Sequence, residues 1–293
     1  MFADDCALIK VARPGDWVVP MDHFVRPGLR FGVIDSGPAE APAVVLLHGF
    51  PQQPASFNAV AGRLNEEGLR TLTPTQRGYT AAARPARRRD YRTEATAADV
   101  IALLDTAGLA KAHVVGHDWG GNQAWGVAGW HLDRVSSLTV ISTPHPAAFL
   151  KSLYASKQGL RSWYMGLFQL PALPEWLARR TLRKSLLDGG LPPEFADRYA
   201  EAMAEPGALT GALNWYRGLP FSRRPPVGRI TVPTSYVWGQ HDFALARAAV
   251  ELTADYVAGP YEVIELDAGH WLPETEPDAV ADAIIKRVRS TQP

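Results

Sequence analysis

The sequence has almost no cysteine and no excess of either charge, and both shortages limit what the protein can be. Cys6 is the only cysteine among 293 residues, which excludes an intramolecular disulfide and a cysteine-rich zinc site. Lysine plus arginine and aspartate plus glutamate each total 30, so the formal charge is zero. A neutral chain has no long-range field for nucleic acid or anionic lipid, so we expect a small neutral substrate and no nucleic-acid partner. The one basic run, residues 84–92, is either a solvated loop, which we favour, or an anion patch.

Long apolar runs are also lacking. No stretch approaches the roughly 20 uncharged apolar residues of a membrane-spanning helix, so no membrane span is predicted. The segment 1–20 contains charged side chains and lacks the apolar part of a signal peptide, so we expect a cytoplasmic protein. An apolar fraction of 46% is near the globular average. The composition is therefore that of a globular protein, and it favours neither a monomer nor a homodimer.

Strand-like runs alternate with helix-like segments along most of the chain. The run 43–47 is continuously apolar, as in a strand buried on both faces, whereas 29–35 alternates and breaks at Gly37-Pro38, which is typical of a hairpin partner. Alternating strands and helices predict an α/β fold with a mostly parallel, doubly wound sheet. Strands are predicted at 29–35, 43–47, 69–72, 112–115, 135–141, 234–238 and 261–266, and helices at 93–107, 122–130 and 277–288.

The pattern changes between residues 147 and 225, where no strand-like run is present and aromatic side chains are frequent. Proline-rich joints flank this stretch, and proline stiffens such joints by fixing φ. We predict an inserted helical cap at 147–225, between the two parts of the core at 1–146 and 226–293.

The turn Gly116-His117-Asp118-Trp119-Gly120-Gly121 follows a predicted strand and precedes a helix. It has the small-x-nucleophile-x-small-small form of a nucleophile elbow, with Asp118 where serine hydrolases have serine. The alternative is a glycine-rich turn with an N-capping aspartate, which the position after a buried strand disfavours. A carboxylate is ionised at neutral pH without a base, and at a saturated carbon it forms an ester that water can cleave. Asp118 therefore indicates an sp³ electrophile.

Asp242 and His270 each follow a predicted strand and complete a candidate catalytic triad with Asp118. In α/β hydrolases the nucleophile, acid and histidine occur in this order, and α/β sheets place ligands at strand carboxyl ends. His241, Asp267 and Glu274 are nearby rivals. The joint placement favours Asp118, Asp242 and His270.

The segment His48-Gly49-Phe50-Pro51 follows the strand at 43–47. There the backbone N–H of Phe50 can join that of Trp119 in an oxyanion hole that holds the oxygen of an ester on Asp118. The alternative is an ordinary strand-ending Gly-Pro turn. Trp119, Phe50 and His48 are also predicted to bind substrate.

From about Leu29 to the C-terminus, the motifs HGFP, GHDWGG and AGHW resemble those of the epoxide hydrolase branch of the α/β-hydrolase fold. Haloalkane dehalogenases share the Asp-Trp elbow, but epoxide hydrolases resemble one another in presenting two cap tyrosines to the epoxide oxygen. The segments SWY and NWYR match that pattern and indicate Tyr164 and Tyr216, although each could be a packing residue of an aromatic cap. A leaving alkoxide needs a proton, which a neutral phenol supplies, whereas a leaving halide needs only N–H donors.

The resemblance implies an epoxide hydrolase that forms an ester on Asp118 and hydrolyses it with His270, oriented by Asp242, without a metal or an organic cofactor. One alternative is a haloalkane dehalogenase, although Phe50 here replaces the asparagine that often supplies the second halide donor in those enzymes. The other alternative is a non-catalytic ligand-binding protein on the same fold. The sequence departs from the family at one motif. The family commonly has Pro-Asp-x-Arg-Gly after the third strand, whereas residues 74–78 read PTQRG here and lack the aspartate. Loop anchoring or pocket shape is therefore expected to differ.

Overall fold

An eight-stranded sheet lies at the centre of the computed structural model, which describes residues 20–291. Cys6 and nearly all of the segment considered for a signal peptide lie outside these residues. In chain order the strands are β1 His23–Arg26, β2 Leu29–Ser36, β3 Ala43–Leu47, β4 Arg70–Pro74, β5 Ala112–His117, β6 Val135–Ile141, β7 Thr234–Gly239 and β8 Tyr261–Leu266. Their spatial order is β1-β2-β4-β3-β5-β6-β7-β8. The pairings β1–β2 and β2–β4 are antiparallel and the other five are parallel, so the predicted mostly parallel sheet is confirmed.

Helices cover both faces of the sheet. In chain order they are α1 Asn58–Glu66, α2 Thr93–Thr106, α3 Trp119–Trp130, α4 Pro146–Ala155, α5 Gln158–Arg161, α6 Trp163–Leu167, α7 Leu173–Asp188, α8 Pro193–Ala204, α9 Ala208–Gly218, α10 Arg247–Thr253, α11 Leu272–Thr275 and α12 Pro277–Arg289. No helix within residues 20–291 has the length and apolar character needed to cross a membrane.

The apolar strand β3 explains why the sheet is covered on both sides. Val45 and Leu47 pack into a core formed with α2 and α3, whereas Val44 and Leu46 pack into a second core formed with α1 and α12. Successive side chains of a strand point to opposite faces, so a continuous apolar run requires a helical layer on each side. Each fully buried side chain of this kind contributes about 1.5–3 kcal/mol to stability.

The hairpin at the sheet edge differs from the sequence pattern. The partner of β2 in the hairpin is β1, which was not predicted, and the turn between them uses Gly28 at φ +73°. On its other side β2 pairs with β4. β1 is only four residues long, and its Phe24 is buried while Val25 is 62% exposed. So short an alternation is too weak a signal to predict a strand.

No β-strand lies between β6 and β7, where the chain forms helices, turns and one isolated β-bridge at Ile230. We call residues 146–221, from α4 to the short 3₁₀ turn that ends at Phe221, the helical insertion. α4 packs against α10 of the core. The boundaries of the cap at 147–225 as a separate domain stay a prediction.

The helical insertion is tied to the core by side chains that bind backbone carbonyls across the boundary. The Trp215 indole N–H donates to the Arg77 carbonyl at 2.7 Å. Arg84 donates to the Pro206 carbonyl at 2.7 Å, and Arg88 donates to the Gln169 carbonyl at 3.2 Å. The basic run at 84–92 is therefore partly an attachment between core and insertion, so the favoured interpretation as a solvated loop was wrong for these two arginines.

The arginine of the PTQRG segment is bound by an acid from another element. Arg77 forms two hydrogen bonds, of 2.8 and 2.6 Å, with the buried carboxylate of Asp99 in α2. Arg26 adds a further contact to the same carboxylate at 3.0 Å. The loop after β4 is thus anchored to a carboxylate of α2.

Candidate active site

Asp118 occupies a strained turn between β5 and α3. Its φ of +50° and ψ of −120° are rarely adopted by residues other than glycine and cost on the order of 1–3 kcal/mol. The turn requires neighbours without side chains, because a Cβ on Gly120 would lie 2.0 Å from the Leu47 carbonyl oxygen. A Cβ on Gly49 would lie 2.4 Å from the Cβ of Asp118. The predicted elbow is therefore present at this position, with the carboxylate at the carboxyl edge of the sheet.

The carboxylate of Asp118 is held from two sides. Its Oδ1 accepts a hydrogen bond from the Phe50 N–H at 2.7 Å, and its Oδ2 lies 3.8 Å from His270 Nε2. Burial raises the pKa of Asp118, while His270 and the backbone N–H groups of Phe50 and Trp119 oppose that rise. The side chain still exposes about 21% of its surface. Both predicted oxyanion-hole donors thus face Asp118, and its carboxylate is not completely shielded from solvent.

His270 and Asp242 meet at the ends of the last two strands. Asp242 follows β7 and its Oδ2 lies 2.8 Å from His270 Nδ1. Its Oδ1 accepts from the Ala244 and Leu245 N–H groups at 2.7 and 3.0 Å, which fixes the carboxylate. Burial lowers the pKa of His270, but the charge and hydrogen bond of Asp242, with the charge of Asp118, raise it overall above its usual value.

The structure therefore brings the three predicted triad residues together, and it places two of the three rivals elsewhere. His241 and Asp267 are exposed and contact each other at 2.6 Å. Glu274, the third rival, binds Gln52 and Tyr199 and is not part of the triad.

The two predicted tyrosines come from separate helices of the insertion. Tyr216, in α9, is buried, and its ring centroid lies 4.5 Å from that of Trp119 and 5.6 Å from that of Phe50. Tyr164, in α6, lies 6.1 Å from Tyr216. Burial raises the pKa of both phenols, and the charge of Asp118 adds to the rise. Both hydroxyl groups are therefore neutral at physiological pH, as a proton donor requires.

Phe168 is a site residue whose role the sequence did not indicate. Its ring packs edge-on against Tyr216 at 4.9 Å, Tyr164 at 5.4 Å and Phe50 at 6.1 Å. The backbone carbonyl of Phe168 accepts from Arg217 at 2.7 Å, which ties it to α9. In a segment with many aromatic residues, the only available signal was the proximity of Phe168 to Tyr164 in sequence.

His48 does not have the position expected of a substrate-binding residue. Its side chain is fully buried, with Nδ1 3.1 Å from the Gly49 carbonyl and Nε2 accepting from the Gln76 N–H at 3.2 Å. Both ring nitrogens are used by the backbone, so none is free to contact a substrate. The prediction that His48 binds substrate was therefore wrong, and the residue instead holds the loop after β3.

A metal centre was not expected from the sequence. Among residues 20–291, no three His, Cys, Asp or Glu side chains are grouped so that they could hold a metal ion.

Comparison with known proteins gives consistent relationships. The alpha/beta hydrolase fold family matches residues 42–277. An AB hydrolase superfamily protein of Bacillus subtilis, YfhM, is 33% identical over 90% of this chain and 96% of its own length. Epoxide hydrolase 3 of Xenopus tropicalis is 35% identical over 86% of this chain and 73% of its own length. A solved structure, from a group of novel epoxide hydrolases in metagenomes from hot environments, is 31% identical with a TM-score of 0.80, and the match covers 91% of this chain and 97% of that one.

Proposed function

Because the chain belongs to the α/β-hydrolase family and to its epoxide hydrolase branch, we propose that it converts an epoxide and water into a vicinal diol through an ester on Asp118. One observation carries the proposal. The Asp118 carboxylate lies between the Phe50 N–H and His270, at the end of the site where Tyr216 packs on Trp119. A nucleophile, a base and a neutral proton donor thus lie close to one another.

The first step is ring opening. Asp118 Oδ2 attacks a carbon of the epoxide, the bond between that carbon and the ring oxygen breaks, and Tyr164 or Tyr216 gives its phenolic proton to that oxygen. The product of this step is a hydroxyalkyl ester and a phenolate. Oδ1 is then the ester carbonyl oxygen, and it already accepts from the Phe50 N–H.

The second step is ester hydrolysis. His270 takes a proton from water, and the resulting hydroxide attacks the Asp118 carboxyl carbon, while Phe50 and Trp119 stabilise the oxyanion. The acyl–oxygen bond then breaks and the leaving diol oxygen takes the proton from His270. The remaining water proton returns the phenolate to a phenol. Asp242 holds the ring of His270 and stabilises its charged form, and neither a metal nor an organic cofactor is required.

Single turnover in ¹⁸O-labelled water tests this cycle, with enzyme in excess over a probe such as styrene oxide. In the proposed route the diol takes its new oxygen from Asp118, so the diol is unlabelled and the peptide that contains Asp118 gains one ¹⁸O. Labelled diol from the first turnover would mean direct attack by water and would overturn the ester route.

A parallel reaction with (2-bromoethyl)benzene separates epoxide hydrolysis from dehalogenation. We expect diol from styrene oxide and no halide from the bromide. Halide release with no diol formation would contradict the proposed activity. The uncatalysed reaction is measured with Asp118→Ala enzyme.

A further inference from the structure

Glu274 is a partly buried acid that the proposed cycle does not use. It lies in α11, four residues after His270. Its Oε2 is shielded from solvent and has no hydrogen-bond partner within residues 20–291. Burial raises the pKa of Glu274 to about 7, with hydrogen bonds from Gln52 and Tyr199 opposing the rise. An acid in such a place needs a reason, because burying a carboxylate is costly unless an opposite charge or several donors compensate.

Both donors to Glu274 meet the same oxygen. The Tyr199 hydroxyl, from α8 of the helical insertion, donates to Oε1 at 2.8 Å. The Gln52 amide, from the loop after β3, donates to Oε1 at 2.7 Å. Two donors on one oxygen favour the ionised form of a carboxyl group. Glu274 therefore links the insertion to the loop that carries the Phe50 N–H.

Gln52 extends this link to His117. Its Oε1 accepts from the Gly49 N–H at 2.8 Å, which fixes which end of the amide is oxygen. The same Oε1 lies 2.8 Å from His117 Nδ1, so Nδ1 must carry a proton to make that hydrogen bond. His117 Nε2 lies 2.9 Å from the backbone carbonyl oxygen of His270, which also can only accept. A neutral imidazole has one N–H, so both hydrogen bonds exist only if His117 is an imidazolium.

Two other buried histidines, His48 and His145, have different surroundings. His48 faces one acceptor and one donor, the Gly49 carbonyl and the Gln76 N–H. His145 likewise faces the Gly228 carbonyl and the Ala147 N–H. Each of these surroundings fits a neutral ring. Burial lowers the pKa of His48 and of His145 to about 4, consistent with that form.

The negative charge of Glu274 and the positive charge of His117 stabilise each other. Burial lowers the pKa of His117 well below its usual value, so an imidazolium there is unstable unless a negative charge compensates. Glu274 is one amide group away, and its Oε1 is arranged for the ionised form. A carboxylate and an imidazolium at these two positions satisfy every hydrogen bond just described, with no net buried charge.

We propose that Glu274 and His117 hold one proton between them, as a carboxylate and an imidazolium joined by Gln52, and that this pair is a positioning device for His270. The pair fixes the His270 carbonyl through His117 and the Gly49–Phe50 segment through Gln52. The consequence for ester hydrolysis rests on the proposed function, whereas the charge state of the pair does not.

Other titratable groups also face this pair. His48 and His270 act on His117, whose ring centroid lies 4.9 Å from that of His270. Tyr199 and His270 act on Glu274. Asp118 and Asp242 lie on the opposite side of His270. Any of these could change the protonation of His117, so the test must change Glu274 alone.

¹⁵N-histidine NMR at pH 7.5, above the pKa of about 7 of Glu274, measures the protonation of His117 directly, with no epoxide present. We expect two protonated ring nitrogens on His117 in the unaltered chain and one in Glu274→Gln, which keeps an acceptor oxygen but cannot ionise. Glu276→Gln is the matched control, since it removes a carboxylate two residues away in sequence and should leave the His117 signals unchanged. His117→Asn assigns those signals. A neutral His117 in the unaltered chain, or an imidazolium that survives in Glu274→Gln, overturns the proposal.

Single-turnover kinetics then test the positioning role. A misplacement of about 1 Å can cost about 10²-fold in rate, and we expect ester hydrolysis in Glu274→Gln to slow roughly tenfold. Ester formation should change less, because it depends on the Gly49–Phe50 segment but not on His270. Equal slowing of both steps, with His117 neutral in both proteins, would indicate a merely structural residue. If no ester forms in any variant, the proposed function fails while the NMR result still decides the charge state of the pair.

Discussion

Asp118, Asp242 and His270 lie on the sheet, whereas Tyr164 and Tyr216 lie on the helical insertion, and different interactions hold the two groups. We call them the sheet side and the insertion side of the site. On the sheet side, short polar contacts from loops at strand ends fix each group, such as the 2.7 Å bond from Phe50 to Asp118. On the insertion side, the phenol rings are placed by edge-on aromatic contacts, as between Phe168 and Tyr216.

This difference follows from what each side does in the proposed cycle. Attack on a saturated carbon and on an ester carbonyl needs a fixed nucleophile, a fixed base and fixed N–H donors, which hydrogen bonds at strand ends provide. A phenol needs only to reach an oxygen whose position changes with the substrate. Aromatic packing between helices and turns of the insertion suits that task. The two sides should therefore fail in different steps when altered.

Asp118→Ala is expected to have the largest effect, because both steps require this carboxylate. Turnover should fall by on the order of 10⁴ or more, as when a nucleophile is removed from other hydrolases. Diol production from styrene oxide measures the loss, and circular dichroism with thermal unfolding checks that the variant is folded. A folded Asp118→Ala protein that keeps most of its activity would remove Asp118 as the nucleophile.

His270→Gln changes the sheet side and should slow only the second step, ester hydrolysis. The preformed carboxylate still opens the ring, but ester hydrolysis loses its base and should slow by about 10²–10⁴. Intact-protein mass spectrometry should then detect a mass increase equal to one substrate. Stoichiometric consumption of epoxide by an unmodified His270→Gln protein would show that another group acts as the base.

Tyr216→Phe changes the insertion side and should slow only the first step, ester formation. Its effect should be the smallest of the three. Ester formation should slow by about 10² and more in the double variant with Tyr164→Phe, because the leaving oxygen loses its proton donors. Hydrolysis of an ester already formed should be nearly unchanged. Tyr154→Phe is the matched control, because Tyr154 is a tyrosine of the insertion with 92% of its surface exposed. A double variant that opens epoxides at the rate of the unaltered chain would show that the two tyrosines do not act in ring opening.

The parts of the site that could be predicted are those with a local signal. The elbow at Asp118 consists of a strand, a turn and a helix that are consecutive in sequence. The glycines around it indicate that two backbone segments approach closely, as they do at Gly120. Asp242 and His270 follow strands of the same parallel sheet, so their meeting at one edge follows from topology. Their chemical roles stay predictions, but their proximity could be inferred from the predicted order of strands alone.

The parts that could not be predicted depend on contacts between distant segments. His48 stands in the expected motif, yet its position under the loop depends on Gln76, which is 28 residues further along the chain. Arg84 looked like part of a solvated run, and only its contact with Pro206 reveals an attachment to the insertion. Nothing in the local pattern around either residue distinguishes these partners from solvent.

By itself, the sequence determined the α/β class, the doubly wound sheet, the position of the elbow that holds Asp118 and the chain order of the predicted triad, because periodicity and turn chemistry act over a few residues. Only the tertiary structure decided the placement of Phe168 between the tyrosines and the link from Glu274 to His117. Gln52 and Glu274 are separated by 222 residues, and Tyr199 and Glu274 by 75. Hydrogen bonding and burial act on atoms that are close in space, and for these residues the fold alone creates that closeness.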